Sequence, residues 1–169
     1  MADFLPIRSA QDRRLAIRGV MDALVSDGML SPDTAAAFLI PARTSIHGNQ
    51  HPLSLIAAQN WENRNVAGEK LTEHRLAEWL GQHCNLPYLR IDPLKIDVAG
   101  VSGLVSHAYA TRYNILPVAM DAHSVTLATA EPFLRDWEPE LERLLKREIR
   151  RVITAPADIA RYLPEFYNL

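Results

Sequence analysis

The sequence has a single cysteine, Cys84, so no internal disulfide can staple it. It also lacks any uninterrupted apolar run of the ~18 to 20 residues needed to cross a bilayer. Its opening residues, MADFLPIRSAQDRR, have no apolar secretion core. A reducing cytoplasm is the expected setting, with any membrane attachment made peripherally through a partner protein and no direct insertion. An excess of one charge is missing too. The 18 basic and 20 acidic residues leave a formal charge of -2, so no global field draws the chain onto nucleic acid or an anionic bilayer. Glycine is sparse, and none of the seven glycines falls in the GxxxxGK[ST] spacing that wraps backbone amides around phosphate. ATP hydrolysis by this chain alone is therefore not expected.

What is present is ordinary globular material, 48 % hydrophobic and 22 % charged over 169 residues. That length suits one domain or two small lobes and can bury roughly two-thirds of the surface the unfolded chain exposes. From Ala10 to Ser26 the apolar residues Ile17, Val20, Met21, Leu24 and Val25 recur at helical spacing, and Gly28 follows at the capping position. Ser31-Pro32-Asp33 opens a second helix reaching about Ile40, with a stop at Pro41. ARTSIHGNQ is turn-rich, PLSLIAAQ predicts a short helix, and NWENRNVAGE predicts a mobile loop. Thr72 caps a helix carrying Leu76, Trp79 and Leu80 and ending near Cys84.

After Pro87 the period changes. YLRI predicts a short strand and IDPLKIDV a bridge, followed by a helix through Val101, Leu104, Val105, Ala108 and Tyr109. Ile115 to Met120 and Ser124 to Ala130 predict a hairpin about Asp121-Ala122-His123, with alternation at Val118, Met120, Val125, Leu127 and Thr129. Thr129-Ala130-Glu131-Pro132 reads as a strand-to-helix joint, with Pro132 in the first turn and Glu131 near the positive end of the dipole. Leu134, Trp137, Leu141, Leu144 and Leu145 make that helix's stripe, IRRVITA a further strand, and Pro156 opens a terminal helix. The expected class is α+β: an all-helical lobe over 1–86, then a small α/β sandwich lobe over 87–169 in the order β-α-β-β-α-β-α.

Chemistry is harder to find. Gly100-Val101-Ser102-Gly103 is one residue short of a GxSxG nucleophile elbow and reads as the opening of a helix. The six histidines, at 47, 51, 74, 83, 107 and 123, lack zinc-ligand spacing; adjacent His83 and Cys84 would diverge by about 100° on a helix. No catalytic residue, metal or cofactor is assigned. Glu138, Glu140, Glu142 and Glu148 interleave with Arg143, Lys146, Arg147, Arg150 and Arg151 as a solvated, self-paired face would. Arg143 and Arg147 from this run, Arg13, Arg14 and Arg18 from the first helix, and Trp61 in the loop are the candidate partner-binding residues. An enzyme of unrecognised type is an alternative, but no acid, base, nucleophile and orienter assemble from spacing.

The succession LTEHRLAEWLGQHCNLPYLRIDPLKID, ILPVAMDAHSVTLATAEP and RRVITAPADIARYLPEFY resembles the N-terminal domain of the type II secretion and type IV pilus assembly ATPases, the general secretory pathway protein E family. The similarity runs from about residue 15 to 167. Leu86-Pro87-Tyr88, Leu116-Pro117-Val118, Thr129-Ala130-Glu131-Pro132 and the closing Ile159 and Tyr162 carry it. The resemblance implies a non-catalytic docking and regulatory domain, with two partners: the ATPase domain of the same parent chain, which would hold the ATP, and the cytoplasmic domain of an inner-membrane platform protein. A shift between the lobes about the 87–97 bridge would transmit contact, with the helical lobe moving.

Some relatives bind cyclic di-GMP through two tandem motifs that begin Arg-Leu-Gly and end in Gln, which makes a degenerate cyclic di-GMP sensor the second alternative. Here Gly19-Val20-Met21 and His51-Pro52-Leu53-Ser54 stand at the Arg-Leu-Gly positions, Ala42 and His83 at the Gln positions, and Trp61 to Glu69 is an insertion. Leu24, Val25 and Gly28-Met29-Leu30 retain the apolar frame. Loss of the guanidinium removes the fork that grips guanine or phosphate, so these departures argue against cyclic di-GMP.

Overall fold

The computed structural model describes residues 12–40 and 50–167. The expected helix start at Ala10, the stop at Pro41, and Ala42, His47 and the turn-rich 41–49 stretch lie outside these residues. In the described residues, eight α-helices surround a three-stranded sheet, an α+β fold.

Helix α1, Ile17–Ser26, buries Val20, Met21, Ala23 and Leu24 and closes at Gly28, whose φ of +77° suits glycine and whose amide bonds Val25 O. It begins later than its apolar period suggests: residues 12–16 lie outside the helix, with Ala16 extended. The Arg13 amide donates to Phe133 O and the Leu15 amide to Glu131, which hold this segment against the 131–133 backbone. Ser31 caps α2, Pro32–Phe38; His51 caps α3, Pro52–Ala57; Thr72 caps α4, Glu73–Cys84.

The 60–70 stretch is not the mobile loop its composition predicts. Glu62 bridges Lys70, the buried Asn63 donates to Glu69, Asn65 reaches Asp27 O and the Arg64 amide reaches Met29 O. These bonds pin the loop to the α1–α2 turn.

Tyr88 supplies only a bridge to Ile153 where a strand is expected, framed by Leu89 N–H to Ile153 O and Ile153 N–H to Pro87 O, each 2.8 Å. Pro87 has no amide to donate, and Pro93 turns the chain away. The single helix expected through Tyr109 is two, α5, Val98–Ser102, and α6, His107–Tyr113. The Ser106 hydroxyl accepts the Tyr109 amide and restarts the helix; Ser102 ends α5 rather than opening it.

Strands β1, Ile115–Met120, and β2, Ser124–Thr129, form the expected hairpin, with Asp121 Oδ1 accepting the amides of His123 and Ser124 at its corner. Strand β3, Glu148–Ile153, lies parallel to β2, giving the order β1-β2-β3. Strict alternation does not hold. Ile115 to Val118 are all buried, β2 is buried almost throughout, and Met120 is exposed, because helices cover both faces and the register slips between Pro117 and Ala119. Helix α7, Glu138–Leu145, starts well beyond Pro132, since the intervening backbone is held in turns. Helix α8, Pro156–Phe166, completes the chain.

Two apolar clusters result. One gathers α1 to α4 and takes in Ile153 and Ala155 from beyond the bridge; the other fills the space between the sheet and α5 to α8 around the buried Trp137. Gly81 lies where α4 meets the chain that carries it to the sheet. A Cβ there would stand 2.8 Å from the Leu86 carbonyl oxygen. Gly81→Ala is therefore expected to lower stability by about 1–3 kcal/mol in urea unfolding with unchanged slope. An unchanged midpoint would show that this backbone approach is not a constraint.

Candidate functional site

The seam between the clusters is built around the Thr-Ala-Glu-Pro joint. As β2 ends, the Glu131 side chain turns inward and is 5 % exposed. Its Oε1 accepts the Leu15 amide at 2.8 Å, while its own amide donates to Thr129 Oγ1 at 3.0 Å. Asp12 returns the arrangement, its Oδ2 accepting the amides of Arg135 and Asp136, each at 2.7 Å. Arg13 lays its guanidinium 4.9 Å from the centre of the Phe133 ring. Residues 12–15 thus form a strap clipped to the 130–136 loop at both ends.

His51 completes the seam from the other side. Its Nδ1 accepts the Leu53 amide at 3.1 Å as the α3 cap, and its Nε2–H donates to Ala130 O at 2.7 Å. With one nitrogen accepting and the other donating, the ring is the neutral tautomer. The 3.7 Å approach of Nε2 to Glu131 Oε2 is accordingly a polar contact and not an ion pair. Burial drives both groups toward neutrality. It lowers His51 from an ordinary 6.5 to about 4, against the Ala130 hydrogen bond. It raises Glu131 from 4.5 to about 7, against the Leu15 amide and the positive Arg14.

A second polar knot lies alongside. Arg151 donates to Pro132 O at 2.7 Å and pairs with Glu138 at 3.3 Å, and Glu138 also receives the Arg135 fork at 2.8 and 2.9 Å. Cys84 faces this region half-buried; burial pushes its thiol up to about 11, where it is a poor nucleophile. The groups of the seam are occupied with one another and with backbone. His51 has no free nitrogen with which to take a proton from Glu131, and the adjacent Thr129 hydroxyl accepts the Glu131 amide. Among the described residues no group of three or more His, Cys, Asp or Glu side chains could hold a metal ion.

The candidate contacts from the sequence are not gathered into one patch. Arg13 and Arg14 lie on the strap, Arg18 on α1, Arg143 on α7, and Arg147 beyond it, donating to Asp121 O at 3.0 Å. Trp61 is half-buried, its ring edge-on to Phe38 at 5.3 Å. At the motif-like positions, Val20 and Met21 are wholly buried and His51 faces the seam. His83 sits 5.1 Å from the Trp79 ring and 3.6 Å from Asp27, and the 61–69 insertion is the hydrogen-bonded loop already described. Glu131 and His51 are the groups that spacing did not reveal. The usable signals were a carboxylate enclosed by apolar strand and proline, and a histidine directly before an N1 proline.

With this geometry in place, the relatives can be stated. The MshEN domain family matches residues 84–169. The type IV pilus assembly ATPase TfpB of Acinetobacter baylyi is 31 % identical over 150 residues, 88 % of this chain and 26 % of TfpB. The chain thus spans about a quarter of the length of that relative. Two solved structures share the fold. That of MshE with cdg has a TM-score of 0.63 at 18 % identity, covering 88 % of this chain and 98 % of its own. That of the N-terminal domain of XpsE has a TM-score of 0.53 at 16 % identity, covering 90 % and 96 %.

The seam carries a pH signature. Glu131 holds its proton more tightly when folded, so its contribution to stability is complete below pH 4.5 and lost as pH rises through about 7. His51 is the reverse, complete above pH 6.5 and lost as pH falls through about 4. The two slopes oppose each other across the same window. Relative to wild type, Glu131→Gln should lose stability on acidification from about pH 7 to about 4.5, and His51→Asn, which retains a capping oxygen, should gain it, each by up to about 3 kcal/mol. Parallel urea-unfolding profiles for all three proteins would exclude the assignment.

Proposed function

The chain belongs to the MshEN domain family, and from that premise we propose that it is the non-catalytic docking and regulatory domain of a secretion or pilus-assembly ATPase. In this reading it joins the motor to the cytoplasmic part of an inner-membrane platform protein and sits at the membrane only through that partner. No described helix is long and apolar enough to cross a bilayer. The ATPase activity belongs to a further part of the parent chain.

The observation that carries the reading is the seam. Its ionisable groups are spent on clipping a strap and a helix cap to the sheet, and among the described residues of the seam no reacting group is left without such a partner. The two apolar clusters are joined by directed polar bonds and by Ile153 and Ala155, and a partner that contacts one arrangement of them better than another would shift the balance. Immobilised platform cytoplasmic domain should retain the 169-residue chain in a pull-down; absence of binding at high micromolar concentration would overturn docking.

A second reading, cyclic di-GMP sensing, is favoured by the MshE structure with cdg and by the retained apolar frame at Leu24, Val25, Met29 and Leu30. Against it stand Val20 and Met21 deep in the core and His51 committed at both nitrogens. A side chain so engaged must break two hydrogen bonds before it can grip a ligand. Isothermal titration with cyclic di-GMP is expected to give a flat trace; saturable heat at one ligand per chain would reinstate the sensor.

A further inference from the structure

The docking reading needs a face, and the open groove between the 90–95 turn and α8 offers one in which cations cluster around an exposed leucine. It encloses about 370 Å³ and is lined by Arg90, Ile91, Asp92, Pro93, Lys95 and Tyr162. Two cations line it, Arg90 and Lys95 on the turn, and a third, Arg161, lies beside it with its guanidinium 5.0 Å from the centre of the ring of the lining Tyr162. Arg75, Arg135, Arg150 and Arg151 each have a carboxylate within 4 Å. Among the described residues Arg90, Lys95 and Arg161 have none. The one acid in the groove, Asp92, is engaged as a cap, its Oδ1 accepting the Leu94 amide at 3.0 Å.

That cap fixes an exposed leucine. Asp92 and the ring of Pro93 set the 3-10 turn, Pro93–Lys95, so that Leu94 stands 95 % exposed on the rim while Ile91 beneath is buried in the core. The turn cannot fold Leu94 inward without losing its capping bond. An exposed leucine beside three cations without ion pairs suits a cover that is both acidic and apolar.

We infer that this groove docks an acidic segment of the partner protein that carries an apolar side chain, its carboxylates facing Arg90, Lys95 and Arg161 and its apolar group covering Leu94. The inference rests on the docking reading and assigns its surface. An aromatic-backed guanidinium at the groove wall suits a carboxylate, since stacking leaves the edge N–H groups free to donate.

Two measurements test it with the whole chain. In the first, the platform cytoplasmic domain is titrated against wild type, against Arg90→Glu, Lys95→Glu and Arg161→Glu combined, against Leu94→Ser, and against the control Arg64→Glu, an exposed arginine outside the groove. The combined variant and Leu94→Ser should each weaken binding at least about tenfold and the control should not. Leu94→Ser alters a side chain already in water, so its loss of binding would not be loss of fold. Wild-type binding that survives both groove changes would overturn the groove while leaving docking intact.

In the second, fluorescence anisotropy follows a labelled peptide of glutamates around one leucine. Binding that weakens with salt and disappears in both groove variants supports the groove even if the platform domain fails to bind, which would remove the docking reading alone. No binding of this peptide, or equal binding of a single-stranded DNA oligomer, overturns it.

Discussion

A carboxyl removed from water must be given partners, and Glu131 organises the seam by finding them. Its oxygen takes an amide from a segment 116 positions earlier in the chain, so the N-terminal strap and the end of β2 are fixed by one bond. The late start of α1 and the delay of α7 to Glu138 accompany this exchange: the strap gives the Arg13 and Leu15 amides to Phe133 O and Glu131, and the loop gives the Arg135 and Asp136 amides to Asp12. His51 extends the constraint to α3, bonding the Ala130 carbonyl while capping its own helix. Long-range polar bonds thus do here what a longer hydrophobic interface would otherwise have to do.

Much of the architecture was legible from local chemistry. Ser31, Thr72 and Pro32 place helix starts where their side chains accept amides or where a missing amide is harmless. The hairpin at Asp121 follows from the short polar corner between two apolar runs. What could not be read was set by distant partners. Nothing in NWENRNVAGE discloses that Asn65 will reach Asp27 O or that Asn63 will be buried, and the segment looks loose for that reason. The Glu131–His51 pair was invisible because its members are 80 positions apart, and each alone reads as a commonplace: an acid near a helix start, a histidine before proline. The candidate arginines were chosen from runs, and in the fold Arg13 and Arg147 are taken up by Phe133 and Asp121. The three cations at the groove come from two separate stretches and form no run at all.

Charge in this domain falls into two kinds. At the seam, Glu138 and Arg151 are matched within the chain and shielded from water, and His51 and Glu131 are driven toward neutrality, so they report on folding. At the turn before α5 they are unmatched and wet, so they remain available to a second molecule. A chain with a formal charge of only -2 can therefore present a locally positive surface without a global field.

Pro117 adds one more consequence. It sits within β1, which among the described residues pairs with β2 alone, and the register slips just after it. A residue with no amide at such a margin denies an incoming backbone one rung of its ladder, and the slip disturbs the spacing of the next. Copies that met at this margin would find it hard to knit their sheets into a continuous ribbon. Adhesion to neighbours is left to side chains, which can be chosen one contact at a time.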